Sequence, residues 1–170
     1  MGTIQLKTPR EALEITKGYW NDVPVDVFGL ARKLDLGPFP EDLPQPISGL
    51  IRRNGDRWEI VYNRNHARVR QRFTVAHEIG HFIYHRELLK NGVSDTLAYR
   101  ADNQKLPNPD ITRAHEWQAN NFAANLLVPG HWLKAAQAAG ITDISELARK
   151  FEVSDTVMRI KMRVPLPEVV

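Results

Sequence analysis

The chain has 170 residues, of which 42% are hydrophobic and 25% are charged, a balance typical of one globular domain. Its formal net charge of +3 is too small to indicate nucleic-acid binding by itself. It has no cysteine, which excludes a disulfide scaffold and a cysteine-ligated zinc site. No stretch has the length and hydrophobicity of a signal peptide or a membrane span, so we expect neither.

Two helices are predicted before the first long loop. Thr8-Pro9-Arg10-Glu11 is a capping-box pattern with proline at the first helical position, and it predicts a helix that runs to about Trp20. Apolar residues recur at helical spacing from Val27 and predict a second helix, which Gly37 closes. Residues 38–46 hold four prolines and indicate an extended loop.

The middle of the chain predicts a hairpin followed by a long helix. Asn54-Gly55 is a strong turn signal, and it separates two predicted strands at residues 47–53 and 57–63. Residues 68–87 carry an apolar stripe at helical spacing and predict a helix. Residues 91–109 are polar and indicate a loop.

Helices are predicted for most of the remaining chain. Asp110 caps a helix that ends near Leu127, and a shorter helix follows at residues 130–139. Residues 143–163 predict a helix, a turn and a further helix for which Ser154 is the N-cap. This last unit resembles a helix-turn-helix.

The segment His77-Glu78-Ile79-Gly80-His81 indicates a metal site. Helical residues four apart share a face, so two neutral imidazoles can bind one zinc ion. Glu78 is rotated by about 100° around the helix and can take a proton from a water that the zinc acidifies. The competing interpretation is a surface helix with unrelated histidines, but its apolar neighbours predict burial, where unpaired histidines are costly.

A catalytic zinc needs a third protein ligand, and Glu116 on the later long helix is the candidate. Its helix face carries small residues, and Gly80 lies between the two histidines, so the helices can pack closely. The competing interpretation is a solvated surface carboxylate, the common fate of a glutamate. Residue patterns alone leave these two interpretations open.

Two segments resemble the ImmA/IrrE family of metallopeptidases. One runs from Arg72 to His81 with His85 after it, and the other runs from Glu116 to Pro129, similar to E-x-x-A-N-x-F-A-x-x-L-L-x-P. The resemblance implies that His77, His81 and Glu116 are zinc ligands and that Glu78 is the catalytic base. Manganese and other divalent ions also suit this ligand set. The implied fold is α+β: a compact, mostly helical, thermolysin-like core with a small antiparallel sheet.

The same resemblance implies a function. Members of the family are generally intracellular, and characterised ones cleave helix-turn-helix repressors of phages, mobile elements or stress responses. We therefore expect a cytoplasmic zinc-dependent endopeptidase whose substrate is such a repressor. The alternatives are a non-catalytic metal-containing binding module in a toxin–antitoxin or phage-control system, and a DNA-binding regulator that acts through the C-terminal helices.

Four further polar residues are candidates for orienting a ligand or stabilising an oxyanion. They are His85, Asn120, Tyr62 and Arg72. A core histidine is an equally good interpretation of His85, and Arg72 fits a structural ion pair better than a catalytic role. His85 lies two turns after His77 on roughly the same face, and Asn120 lies one turn after Glu116.

We predict a metallopeptidase domain at residues 1–130 and a helical extension at residues 131–170. The last helix carries Arg159, Lys161 and Arg163, which could meet phosphates. Few basic residues stand at its start, where base contacts are made, so we favour packing on the core over DNA binding. We expect no membrane partner and no further sensory domain, and the oligomeric state stays open.

Overall fold

The computed structural model describes residues 7–89, 94–95 and 110–163, with only the backbone described at residues 94–95. Most of the loop predicted at residues 91–109 therefore lies outside the described residues. Within the described ranges, no helix has both the length and the hydrophobicity that a membrane crossing requires.

Two helices open the described chain. Helix α1, Pro9–Gly18, begins at Thr8, whose hydroxyl accepts from the Glu11 backbone N–H while the Glu11 carboxylate accepts from the Thr8 N–H. The predicted capping box is confirmed. Helix α2 is Val27–Lys33. The prediction that it extends to Gly37 is wrong, because it ends four residues earlier. The chain already leaves the helical path at Asp35, where φ is 61°.

Four strands of the described chain form a sheet, in the order β1-β3-β2-β4. The hairpin of β2, Gly49–Asn54, and β3, Arg57–Asn63, is the predicted one. Strand β1, Phe39–Glu41, runs parallel to β3 within the segment predicted as a loop, and β4, Ser94–Asp95, pairs with β2. The sheet is therefore mixed and not purely antiparallel, although the predicted α+β, mostly helical class is confirmed.

Side chains of β3 and β2 hold the segment that contains the parallel strand. The side-chain amide of Asn63, which is fully buried, donates to the carbonyl oxygens of Leu43 and Ile47 at 3.0 Å each. On the next strand, Arg52 donates to the Glu41 carboxylate at 2.8 Å. These contacts hold the proline-rich segment alongside β3, where its backbone groups find partners.

Helix α3, Arg68–Tyr84, is the centre of the molecule, and every residue from Arg72 to Ile83 in it is buried. Helix α4, Arg113–Leu127, packs against it. The N-cap of α4 is Thr112 and not Asp110, because Thr112 Oγ1 accepts from the His115 N–H and the Thr112 N–H donates to His115 Nδ1. A histidine here performs the part that glutamate plays in the usual capping box.

Three helices complete the described chain: α5, Gly130–Ala138; α6, Ile144–Phe151; and α7, Asp155–Met162. Ser154 caps α7 as predicted, and the turn before it has Glu152 in the left-handed region at φ 52°. The buried Arg72 of α3 donates through Nε to the Glu152 carbonyl oxygen at 3.1 Å. Apolar residues of α6 and α7 belong to the same buried cluster as those of α3. The domain boundary at residue 130 stays a prediction.

Candidate metal centre

His77 and His81 lie one turn apart on the buried face of α3. Their Nε2 atoms are 3.0 Å apart, and the two residues are 1% and 0% exposed. Spacing of four residues places both rings on one side of the helix, as the HExxH pattern predicts. At these exposures both rings are removed from bulk water.

Glu116 approaches these rings from the first turn of α4. Its Oε2 lies 3.1 Å from His77 Nε2, and its Oε1 lies 3.1 Å from His81 Nε2. The structure therefore brings together all three residues that the sequence nominates as ligands. Among the described residues, they are the one group of three histidine, aspartate or glutamate side chains whose ligand atoms lie within 4.8 Å of one another.

The close approach of α3 and α4 depends on Gly80. A Cβ atom added there would lie 3.0 Å from a ring carbon of Phe122 and 3.3 Å from the Cα of Ala119. Both distances are shorter than ordinary van der Waals contact between carbon atoms. A small residue between the two histidines thus lets the carboxylate of the second helix reach the rings.

Burial and pairing set the charge of His81 and Glu116. Desolvation by burial lowers the pKa of His81 to about 4, so its ring is neutral at physiological pH. Burial alone would raise the pKa of Glu116, but hydrogen bonds with His77 and His81 outweigh it and hold that pKa well below its usual range. The site therefore combines an ionised carboxylate with a neutral imidazole.

This geometry and chemistry fit a divalent cation. Two donor atoms that are each about 2.05 Å from a tetrahedral zinc ion are about 3.3 Å from one another. The three observed separations of 3.0 to 3.1 Å are slightly shorter, so tenths of an ångström of adjustment suffice. Two histidines and one glutamate also leave a fourth coordination position, as catalytic zinc sites do.

The other nitrogen of each histidine has its own partner. His77 Nδ1 lies 2.7 Å from Asn120 Oδ1 on α4. His81 Nδ1 lies 2.8 Å from His85 Nδ1, and His85 Nε2 lies 2.9 Å from Gln118 Oε1. Such partners fix the orientation of metal-binding rings. Desolvation by burial lowers the pKa of His85, which favours its neutral form.

Gln118 is not among the site residues predicted from the sequence. The signal that could have found it is the stripe of His115, Gln118 and Phe122, which recur at helical spacing on one flank of α4. The rings of His115 and His85 are 4.7 Å apart, so this flank borders the far end of the histidine row.

The remaining nominated residues have different surroundings. Glu78 is fully buried on α3, next to His77 in the chain. Tyr62 packs edge-on against Phe28 of α2, with ring centroids 5.3 Å apart. Arg72 contacts the turn between α6 and α7, where its Nε is also 3.4 Å from the Glu152 carboxylate. Tyr62 and Arg72 thus make contacts with α2 and with the C-terminal helices.

A mostly helical α+β fold that carries HExxH on one helix and a convergent glutamate on another is the arrangement of a metallopeptidase-type domain. The chain belongs to the peptidase family whose model is described as the IrrE N-terminal-like domain, which matches residues 33–163. The matched range includes the three convergent side chains and Glu78. No curated protein matches the chain.

One solved structure of similar fold is a Mycobacterium tuberculosis transcriptional regulator, with a TM-score of 0.61 and 17% sequence identity. The match covers 92% of this chain and 46% of that regulator. This chain therefore spans less than half the length of the regulator. At this identity the likeness concerns the fold alone.

Proposed function

We propose that this protein is a zinc-dependent endopeptidase in which His77, His81 and Glu116 hold the ion. The observation that carries the proposal is the convergence of two imidazole nitrogens and a carboxylate to 3.0–3.1 Å at the contact of two buried helices. Burying such groups together costs free energy unless a proton or a cation lies among them.

The chain's own groups suit peptide hydrolysis. A bound zinc ion supplies a Lewis acid that acidifies water and polarises a carbonyl oxygen. Glu78 accepts the proton of the attacking water and then transfers it to the leaving amine. Asn120 and His85 hold the two histidine rings in place. Burial of the surrounding apolar residues lowers the local dielectric and strengthens each of these interactions.

We further propose that the substrate is a helix-turn-helix repressor of a phage, a mobile element or a stress response. Membership of the family supports this choice, since the characterised members that the sequence resembles cut such repressors. A fold shared with a solved transcriptional regulator is compatible with a place in gene control.

Cleavage of a candidate repressor tests the proposal. The zinc-loaded protein is incubated with the product of its neighbouring regulator gene, and fragments are identified by mass spectrometry. We expect cutting by the wild type and a loss of about 10²- to 10⁴-fold in rate for Glu78→Gln, because a general base contributes that much. Glu87→Gln is the matched control. Glu87 is exposed and lies shortly after α3, so this variant should cut at the wild-type rate.

Each other outcome has a clear meaning. Equal cutting by the wild type and Glu78→Gln would refute the role of Glu78. A stable complex that stays uncut with zinc or manganese supplied would indicate a binding module in place of an enzyme. We do not propose DNA binding, because Ser145 donates to Asp155 at the start of α7 and Lys161 donates to Asn125 of α4. These groups of the C-terminal helices are engaged within the protein.

A further inference from the structure

The ring of His81 has two inequivalent nitrogens. Its Nε2 faces His77 and Glu116 at 3.0 and 3.1 Å, so this is the nitrogen that would bind the ion. A neutral imidazole carries one proton, which must then be on Nδ1. A buried N–H needs an acceptor, and a metal-binding histidine usually donates this proton to a carboxylate, a carbonyl or water.

The group next to His81 Nδ1 that could accept this proton's hydrogen bond belongs to another histidine. His85 Nδ1 lies 2.8 Å from His81 Nδ1, and His85 is 3% exposed. An imidazole can accept only at the nitrogen that lacks a proton. His85 therefore serves His81 only in the tautomer that carries its proton on Nε2.

Gln118 selects that tautomer. Its carbonyl oxygen Oε1 lies 2.9 Å from His85 Nε2 and can only accept a hydrogen bond. His85 Nε2–H therefore donates to Gln118, and His85 Nδ1 is left to accept from His81. If the Gln118 amide presented its NH₂ group in place of the oxygen, both hydrogen bonds would run in the opposite direction. The proton of His81 would then be on Nε2, where it opposes the ion.

We infer that His85 and Gln118 are positioning residues that form a directional hydrogen-bond chain, and that this chain holds His81 in the tautomer and orientation that bind metal. The inference rests on the metal centre of the proposed function. It goes beyond that proposal because it requires one tautomer of His85 and adds Gln118 of α4 as the residue that selects this tautomer. His77 differs, since the amide oxygen of Asn120 accepts from it directly at 2.7 Å.

Zinc affinity, measured without substrate by competition with a chelator, tests the hydrogen bond between His81 and His85. We expect His85→Leu to bind zinc about 10- to 100-fold more weakly, the range for removing a hydrogen-bond partner of a metal ligand. His85→Gln supplies a carbonyl acceptor and should recover most of the affinity. His131→Leu is the matched control, because His131 is exposed on α5 and its loss should change nothing.

Gln118 gives a test that does not disturb the core, because this residue is exposed. Gln118→Leu should weaken zinc binding by about 10-fold, the lower end of the same range. Gln118→Glu keeps an acceptor in place and should bind zinc at least as tightly as the wild type. Asn121→Asp adds the same negative charge on α4 and separates the effect of charge from that of the hydrogen bond.

A spectroscopic signature completes the experiment. In the ¹⁵N-labelled, zinc-loaded wild type, we expect scalar coupling between His81 Nδ1 and His85 Nδ1 across the hydrogen bond, with the proton on His81. Gln118→Leu should weaken this coupling, and His85→Leu should abolish it. A merely structural role for either residue would leave no such coupling.

The outcomes separate the two proposals. If the wild type binds zinc tightly but the His85 and Gln118 variants keep its affinity and the coupling is missing, the inference is overturned while the metal centre stands. If the wild type binds no zinc, the metal centre itself is refuted, and the inference with it. If cleavage fails while affinity and coupling respond as expected, only the peptidase activity is refuted.

Discussion

Two pairs of neighbouring helices in this protein, α3–α4 and α6–α7, both contribute to the apolar core but differ in the other side chains that they enclose. The α6–α7 pair follows local signals, with Asp143 and Ser154 as N-caps and an apolar interior that includes the fully buried Phe151. The α3–α4 pair instead encloses polar side chains, among them His77 and Glu116. Buried polar groups stabilise a fold little or not at all, so the polar groups within α3–α4 serve the chemistry of the site, whereas the apolar interior of α6–α7 serves stability.

The largest expected effect tests the stabilising pair. Phe151→Ala should lower the free energy of unfolding by about 3–5 kcal/mol, because a fully buried phenylalanine leaves a cavity when it is truncated. Denaturant unfolding of the zinc-free protein measures the change. The zinc affinity of the molecules that remain folded should equal that of the wild type, and a large fall in it would erase the contrast between the two helix pairs.

A charge substitution on the other pair should have the reverse signature. Glu116→Gln keeps the shape of the side chain but removes the carboxylate, so we expect zinc affinity to fall by more than about 100-fold, or about 2.7 kcal/mol. Glu146→Gln is its counterpart, since Glu146 also lies in the first turn of a helix and is exposed. Equal zinc affinities for these two variants would show that Glu116 is not a ligand.

The smallest effect concerns the contact between α3 and α4. Gly80→Ala gains helix propensity of about 1 kcal/mol but forces a methyl group against Phe122 and Ala119. We expect a net loss of about 1 kcal/mol in the free energy of unfolding, together with weaker zinc binding. Gly18→Ala, which meets nothing within 4 Å, should stabilise by about 0.5–1 kcal/mol. A gain of equal size at Gly80 would mean that the helix contact is not tight.

Local signals explain which features could be predicted from the sequence. The capping box at Thr8, the hairpin turn at Asn54-Gly55 and the N-cap at Ser154 each depend on a few adjacent residues, and the structure has all three. The placement of His77 and His81 on one face is equally local. Local patterns could not establish Glu116 as a ligand, because its position depends on how two helices that are distant in sequence pack together.

The features that were missed depend on distant partners or on unusual ones. Strand β1 contains a proline and is exposed at two of its three residues, and the segment that follows it is held by Asn63, far along the chain. The cap of α4 uses His115 where glutamate is usual. Gln118 becomes informative only when the rotation of α4 relative to α3 is known, since the same side chain on another face would simply be solvated.

The contact between Arg72 and the C-terminal helices matters for the design of shorter fragments. Its guanidinium, 3% exposed, donates to the backbone of the turn between α6 and α7, while the helix that carries it also bears His77 and His81. A fragment that stops at residue 130 would lose that carbonyl partner and uncover the apolar surface that Phe151 protects. Such a fragment would be a weakened protein and not a minimal peptidase, because its central helix would lose the contact that Arg72 makes with the turn between α6 and α7.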